Sequence, residues 1–103
     1  MEIQLDHIAV IDNRAERRYE AQAGGHLAKI DYILDEEHIV FTRTLVPEEL
    51  GNQGLASKMA RTALEDARSR GLKVIPQCPF VAAYIEKHPE YQALVWDPHS
   101  GSE

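Results

Sequence analysis

Cysteine is nearly absent from this chain of 103 residues: Cys78 stands alone, so no internal disulfide can form, a usage that fits a reducing compartment. Long apolar runs are missing as well. No stretch approaches the roughly 20 residues a helix needs to cross a bilayer, and the start, MEIQLDHIAV, lacks the basic opening and small-residue cleavage site of a signal peptide. The expectation is a soluble, cytoplasmic chain with no membrane partner. Basic residues are outnumbered, 11 Lys and Arg against 17 Asp and Glu, for a net charge of −6. A general nucleic-acid binder needs a basic face to neutralise phosphates and is thereby excluded; any anionic ligand has to be held locally. Metal chemistry lacks its ligands too. His7, His26, His38, His88 and His99 are scattered, with no pair four residues apart and no cysteine at zinc spacing, so no metal is expected.

What is present suits one core. With 44% hydrophobic and 27% charged positions, residues 1–103 read as a single domain, of which about 97–103, DPHSGSE, form a loose tail. Residues 15 to 46 read as a three-stranded meander. AERRYEAQ alternates weakly, and Gly24-Gly25 supplies a hairpin turn. LAKIDYIL places Ala28, Ile30, Tyr32 and Leu34 on one face, and HIVFTRTLV is rich in β-branched residues until Pro47 stops it.

From Gln53 to about Arg70 the period becomes helical. Leu55, Ala56, Met59, Ala60, Ala63, Leu64 and Ala67 share a face, Asn52 offers an N-cap and Gly71 a C-terminal stop. LKVIP follows as a short buried strand, and the strand–helix–strand succession implies a right-handed crossover with HIVFTRTLV and LKVIP parallel. A second helix near VAAYIEKH starts just after Pro79 and is stopped by Pro89. The fold class is α/β: an antiparallel meander plus one central parallel strand pair, with packed helices.

The chemistry concentrates where LVPEELGNQGLASKMA joins strand to helix. Glycines 51 and 54 let backbone approach a ligand, and the unpaired N–H groups of a helix's first turn suit an anion. Neither GxxxxGK[ST] nor GxGxxG is present. From the residues alone, an anion site and a plain capped turn both stay open.

VPEELGNQGLASKMA resembles motif A of the Gcn5-related N-acetyltransferases, whose R/Q-x-x-G-x-G/A signature binds the pyrophosphate of acetyl-coenzyme A. Gly54 and Ala56 match its last two positions, whereas Gly51 stands where Arg or Gln is usual and Asn52 where glycine is usual. LKVIPQCPFVAAYIEKHPEY is similar to the small YjdJ-type members, which join a Pro-x-Cys strand end to a short helix closing in His-Pro-Glu-Tyr. The resemblance spans about Ile39 to Tyr91. It implies a splay between the parallel strands, with the pantetheine arm bonding strand backbone near Leu45 and Val46. It also implies that Gly51, Asn52, Gln53, Gly54, Leu55, Ala56 and Ser57 surround the phosphates. The function implied is transfer of an acetyl group from acetyl-coenzyme A to a primary amine, which is a small molecule, a lysine or an N-terminus. The alternative is a coenzyme A binding module or sensor without catalysis. Sequence fixes neither the acceptor nor the oligomeric state.

Three candidate catalytic residues follow. Cys78, between a buried strand and a helix N-terminus, reads either as a small buried hydrophobe or as a thiolate favoured by the helix dipole, and the resemblance adds a catalytic role, as acetyl acceptor or as lining. Arg43 shares, by alternation, the face of Ile39, Phe41 and Leu45; it either reaches water at the strand end or holds an anionic group. The small acetyltransferases often carry a histidine there, which this chain lacks. Tyr84 on the second helix reads as a core tyrosine, or, by resemblance to larger relatives, as the acid that protonates the leaving thiolate. Lys58 and Arg61 are solvated helix charges or phosphate contacts, and Glu48 and Glu49 solubilising acids or a base.

Overall fold

Residues 2–97 are described by the computed structural model, and most of the C-terminal tail lies outside them. Five strands form one sheet in the order β1-β2-β3-β4-β5: β1 (Val10–Asn13), β2 (Arg18–Ala23), β3 (His26–Leu34), β4 (His38–Leu45) and β5 (Lys73–Pro76). The first four are antiparallel neighbours, and β4 and β5 are parallel. The fold is a mixed α/β sheet with helices α1 (Leu55–Ser69) and α2 (Pro79–Lys87) packed on it.

The meander has four strands where three are expected from sequence. β1 is only four residues long, and its one strongly apolar outward residue, Ile11, is exposed, so alternation gives it away poorly. The turn to β2 is made by Asn13, whose side-chain oxygen accepts the Glu16 N–H. Between β2 and β3, Gly24 and Gly25 both take positive φ, 58° and 79°, the conformation a two-residue hairpin requires. On β3, Ala28, Ile30 and Tyr32 face the core as the sequence indicates.

β4 departs from simple alternation. Tyr32 pairs with Phe41 and Asp31 with Arg43, so Thr42 is an extra residue in β4, and a bulge sits at that point. A bulge shifts the parity of everything beyond it. Phe41 and Thr44 therefore face inward, three residues apart, while Arg43 and Leu45 turn to the outer face opposite Asp31 and Lys29. The placement of Arg43 on the Ile39–Phe41 face is corrected accordingly.

The parallel pair lies at one side of the sheet, not at its centre, because beyond β5 only Val95 returns, as an isolated bridge to Val74. The pairing of β4 with β5 is brief. It runs from His38–Lys73 to Phe41–Pro76, and Pro76 has no N–H with which to extend the ladder. One more bond, Cys78 N–H to the Phe41 carbonyl at 2.8 Å, is made before the chain turns into α2. Among the described residues, β4 from Thr42 onward thus has strand neighbours on the β3 side alone.

α1 buries Leu55, Met59, Ala60, Ala63, Leu64 and Ala67, the periodic set read from sequence except Ala56. These meet the inward row of Tyr19, Ile30, Phe41 and Val74 in one cluster that also takes in Val81, Tyr84 and Ile85 of α2. The helix closes on a Schellman motif: Leu72 N–H bonds the Ala67 carbonyl and Gly71 N–H that of Arg68, with Gly71 at φ 70°. At the other end Asn52 is not the N-cap. Gly54 is, at φ 85°, and no side chain caps the helix. The short N-terminal segment crosses this end: Lys58 Nζ donates to the carbonyls of Leu5 and Ile8, and Ile3 N–H bonds Gln53 Oε1 at 2.8 Å.

Candidate functional site

The splay of β4 from β5, the link that follows β4 and the uncapped start of α1 enclose a groove of about 410 Å³. Each wall has a local cause. Pro47 ends β4, and Glu48–Leu50 make one 3₁₀ turn that buries Leu50 and leaves both acids exposed. Gly51 has an ordinary extended φ of −71°, but Asn52 (61°) and Gly54 (85°) are left-handed, so two sharp reversals bring backbone to the groove. Glycine is favoured at 54 by its left-handed conformation, and a Cβ there would lie 3.2 Å from Leu5 Cδ1, which would have to shift by a few tenths of an ångström.

Lys58 N–H makes the first intrahelical bond, to the Gly54 carbonyl at 3.0 Å. The three N–H groups before it, on Leu55, Ala56 and Ser57, belong to the turn that a helix leaves unsatisfied, and all three residues line the groove. Among the described residues no acidic or basic side chain lines it. The helix dipole and free amides therefore act on a ligand with no opposing carboxylate.

Of the cofactor-binding residues expected from sequence, Val46, Gly51, Asn52, Gly54, Leu55, Ala56 and Ser57 line this groove. Leu45 and Gln53 do not. The bulge turns Leu45 to the outer face, where it is 47% exposed, and the Gln53 side chain braces the N-terminal segment and bonds the Glu49 carbonyl. Three lining residues are absent from the sequence-based set: Thr44, Leu50 and Phe80. Thr44 was hidden because its inward direction depends on the bulge. Phe80 was hidden because it arrives from α2, and Leu50 because its burial depends on the 3₁₀ turn.

The expected catalytic residues are dispersed. Cys78 sits at the head of α2 and is 2% exposed; its Sγ does not cap the helix but lies 2.9 Å from Thr44 Oγ1, across the mouth of the splay. Arg43 points into solvent from the outer face, 3.8 Å from Asp31 Oδ2. Tyr84 lines a second, smaller cavity of about 210 Å³ with Leu5, Gly54, Ser57, Lys58 and Arg61. Its ring stacks on His88 at 3.9 Å, His88 Nδ1 donates to the Tyr84 carbonyl, and burial pushes the phenol up from its ordinary value. Lys58 is committed to the carbonyls of Leu5 and Ile8. Glu49 lies 3.8 Å from His26. Among the described residues no group of three His, Cys, Asp or Glu could hold a metal, and no helix is long and apolar enough to cross a membrane.

Comparison with known proteins bears on this geometry. The sequence model for GCN5-related N-acetyl-transferase matches residues 18–94, which run from β2 through the groove to the end of the last 3₁₀ turn. The fold is similar to the NMR solution structure of a GCN5-like protein of Staphylococcus aureus, with a TM-score of 0.65 and 28% sequence identity, covering 92% of this chain and 96% of that one. A splayed parallel pair, a glycine-entered helix and a family match across both lead to one conclusion: the chain belongs to the GCN5-related N-acetyltransferases, a family of acyltransferases.

Proposed function

We propose that the chain is an N-acetyltransferase of the small YjdJ type that takes its acetyl group from acetyl-coenzyme A and delivers it to a primary amine in the cytoplasm. The observation that carries this reading is the groove itself. Its helix-side wall is backbone N–H of the first turn of α1, and its strand-side wall is Thr44, on the β4 edge that β5 no longer covers, and Val46 just beyond the strand. The first suits the pyrophosphate, and the second suits the amide-rich pantetheine arm. Residues and cosubstrate fit: among the described residues no acidic side chain lines the groove, and glycine at 54 takes the left-handed turn that opens α1.

Acetyl-coenzyme A supplies a thioester carbonyl open to attack. The amine nitrogen forms a bond to that carbon, the C–S bond breaks with its electron pair going to sulfur, the nitrogen gives up one proton and the thiolate takes one. The chain's part in this is to bind, orient and donate hydrogen bonds. Direct attack is favoured over an acetyl-cysteine intermediate because Cys78 is buried and does not itself line the groove. A coenzyme-binding module without turnover is the second reading, favoured by the absence of any acid or base from the groove lining.

Titration of coenzyme A and acetyl-coenzyme A into the parent and an Ala56→Asp variant tests the proposal. Ala56 is half-buried on the groove side of the first turn of α1. An aspartate there favours the helix but repels a phosphate, so loss of binding is separated from loss of folding. Expected is saturable binding by the parent, weakened at least tenfold, about 1.4 kcal/mol, in a variant no less stable. Absence of binding by the parent overturns the proposal. Binding without transfer to any of a panel of primary amines selects the module.

A further inference from the structure

Thr44 is the one polar side chain on the strand wall of the groove; the other polar lining side chains, Asn52 and Ser57, lie at the helix entrance. Its inward direction is built, not incidental, because it exists only through the bulge at Thr42, and Cys78 Sγ lies 2.9 Å from its oxygen. A ligand whose phosphates meet the start of α1 and whose arm follows β4 inward from Val46 brings its acyl end to Thr44. A hydroxyl has one hydrogen to give and two lone pairs. If the buried Cys78 thiol donates its S–H to Thr44 Oγ1, one lone pair is taken and the hydroxyl hydrogen is left for the groove.

We infer that the Thr44 hydroxyl donates a hydrogen bond to the acyl carbonyl oxygen of the bound thioester, and that Cys78 is a positioning residue acting through Thr44 rather than a nucleophile. This rests on the acetyl-coenzyme A reading above. The geometry gives each group a task that fits its exposure: Thr44 is partly open to the groove, and Cys78 is sealed behind it. It also accounts for a cysteine at the head of a helix that does not cap that helix. No covalent step through sulfur of the chain is required.

The experiment compares the parent with Thr44→Val, Thr44→Ser, Cys78→Ala and Cys78→Ser. Binding of coenzyme A, which has no acyl group, is measured by titration, and the carbonyl stretch of bound, ¹³C-labelled acetyl-coenzyme A by difference infrared spectroscopy. Transfer to the amine found in the acceptor screen is followed alongside. Expected in Thr44→Val is a kcat lower by about 10- to 100-fold with coenzyme A affinity within about twofold, and a carbonyl band shifted to higher frequency than in the parent. Thr44→Ser recovers the parent band. Cys78→Ala shows a smaller loss that Cys78→Ser, which keeps a donor in place, largely reverses. An unshifted band in Thr44→Val overturns the inference even if that variant is slow. So does an inactive Cys78→Ser beside an active Thr44→Val, or an acetyl group found on Cys78 by mass spectrometry during turnover. Failure of the parent to bind acetyl-coenzyme A fells the functional reading and the inference together, and is distinguished by the titration of the parent alone.

Discussion

The direct attack proposed above needs a neutral amine, and among the described residues none of the side chains that line the groove is an acid or a base. Glu48 and Glu49 stand exposed on the link, Arg43 faces solvent on the far side of the sheet, and Tyr84 occupies a separate cavity. The proposed reading therefore leaves deprotonation to solvent. The expected outcome is that kcat/KM rises with pH along the titration of the acceptor itself, so that two amines differing in pKa give midpoints that differ by the same amount. A common midpoint for both would reveal a titrating group of the chain at the reacting end. Lys58 belongs to the same scale. It binds two carbonyls of the N-terminal segment, so two of its three N–H donors brace that segment against α1.

At the scale of elements, α1 is decided by its ends. Its buried face is periodic enough to be read directly, and its hydrophobic side alone would allow the helix to start or stop a turn earlier or later. The left-handed residues at each end fix it. Gly71 at φ 70° accepts the Schellman closure, and a Cβ added there would meet nothing within 4 Å. Gly71→Ala therefore isolates backbone strain from crowding. We expect a loss of about 1 kcal/mol, measured by urea denaturation, with coenzyme A binding unchanged because the opposite end of the helix is untouched. A loss near zero would mean that the turn relaxes to another closure. The bulge in β4 has a comparable effect on the site, since a single extra residue exchanges Arg43 for Thr44 on the inward face.

Across the whole molecule, tyrosines tie the sheet and the last 3₁₀ turn to carboxylates. Tyr19 bonds Asp66 of α1, Tyr32 bonds Asp12 at 2.6 Å, and Tyr91 bonds Glu65 of α1 at 2.7 Å. Burial first, and then the bonded carboxylate, pushes the phenols of Tyr32 and Tyr91 up to about 12 each and that of Tyr19 higher still. In the unfolded chain these phenols titrate near 10. The folded state therefore keeps protons that the unfolded state loses. The stabilisation is complete below about pH 10 and is lost as pH rises through about 12. Urea midpoints should fall steeply across that window, and Tyr32→Phe and Tyr91→Phe should each flatten the slope while lowering stability at neutral pH. An unchanged slope in both variants would show that other groups govern alkaline unfolding.

Much of this was legible without coordinates, and the reason is locality. The hairpin at Gly24-Gly25, the helical face of Leu55 to Ala67 and the stop at Gly71 each depend on residues close together in the chain, and the parallel crossover follows from the order of strand, helix and strand. The GNQGLA entrance also lies within one local stretch. What sequence misplaced depends on partners distant along the chain. Alternation alone puts Arg43 on the inward face because the bulge is a relation between β3 and β4, and Asn52, a cap by residue type, yields that place to Gly54. Thr44 faces the groove only through that same bulge, and its neighbour there, Cys78, is 34 residues away in the chain. Sequence by itself determined β2 to β5, the two helices and their order, leaving β1 unread and the helix entrance open between an anion site and a plain turn, since periodicity and turn chemistry are properties of short segments. Only the tertiary structure decided which side chains face the groove, because that is set by strand register and by where Pro76 releases β5 from β4.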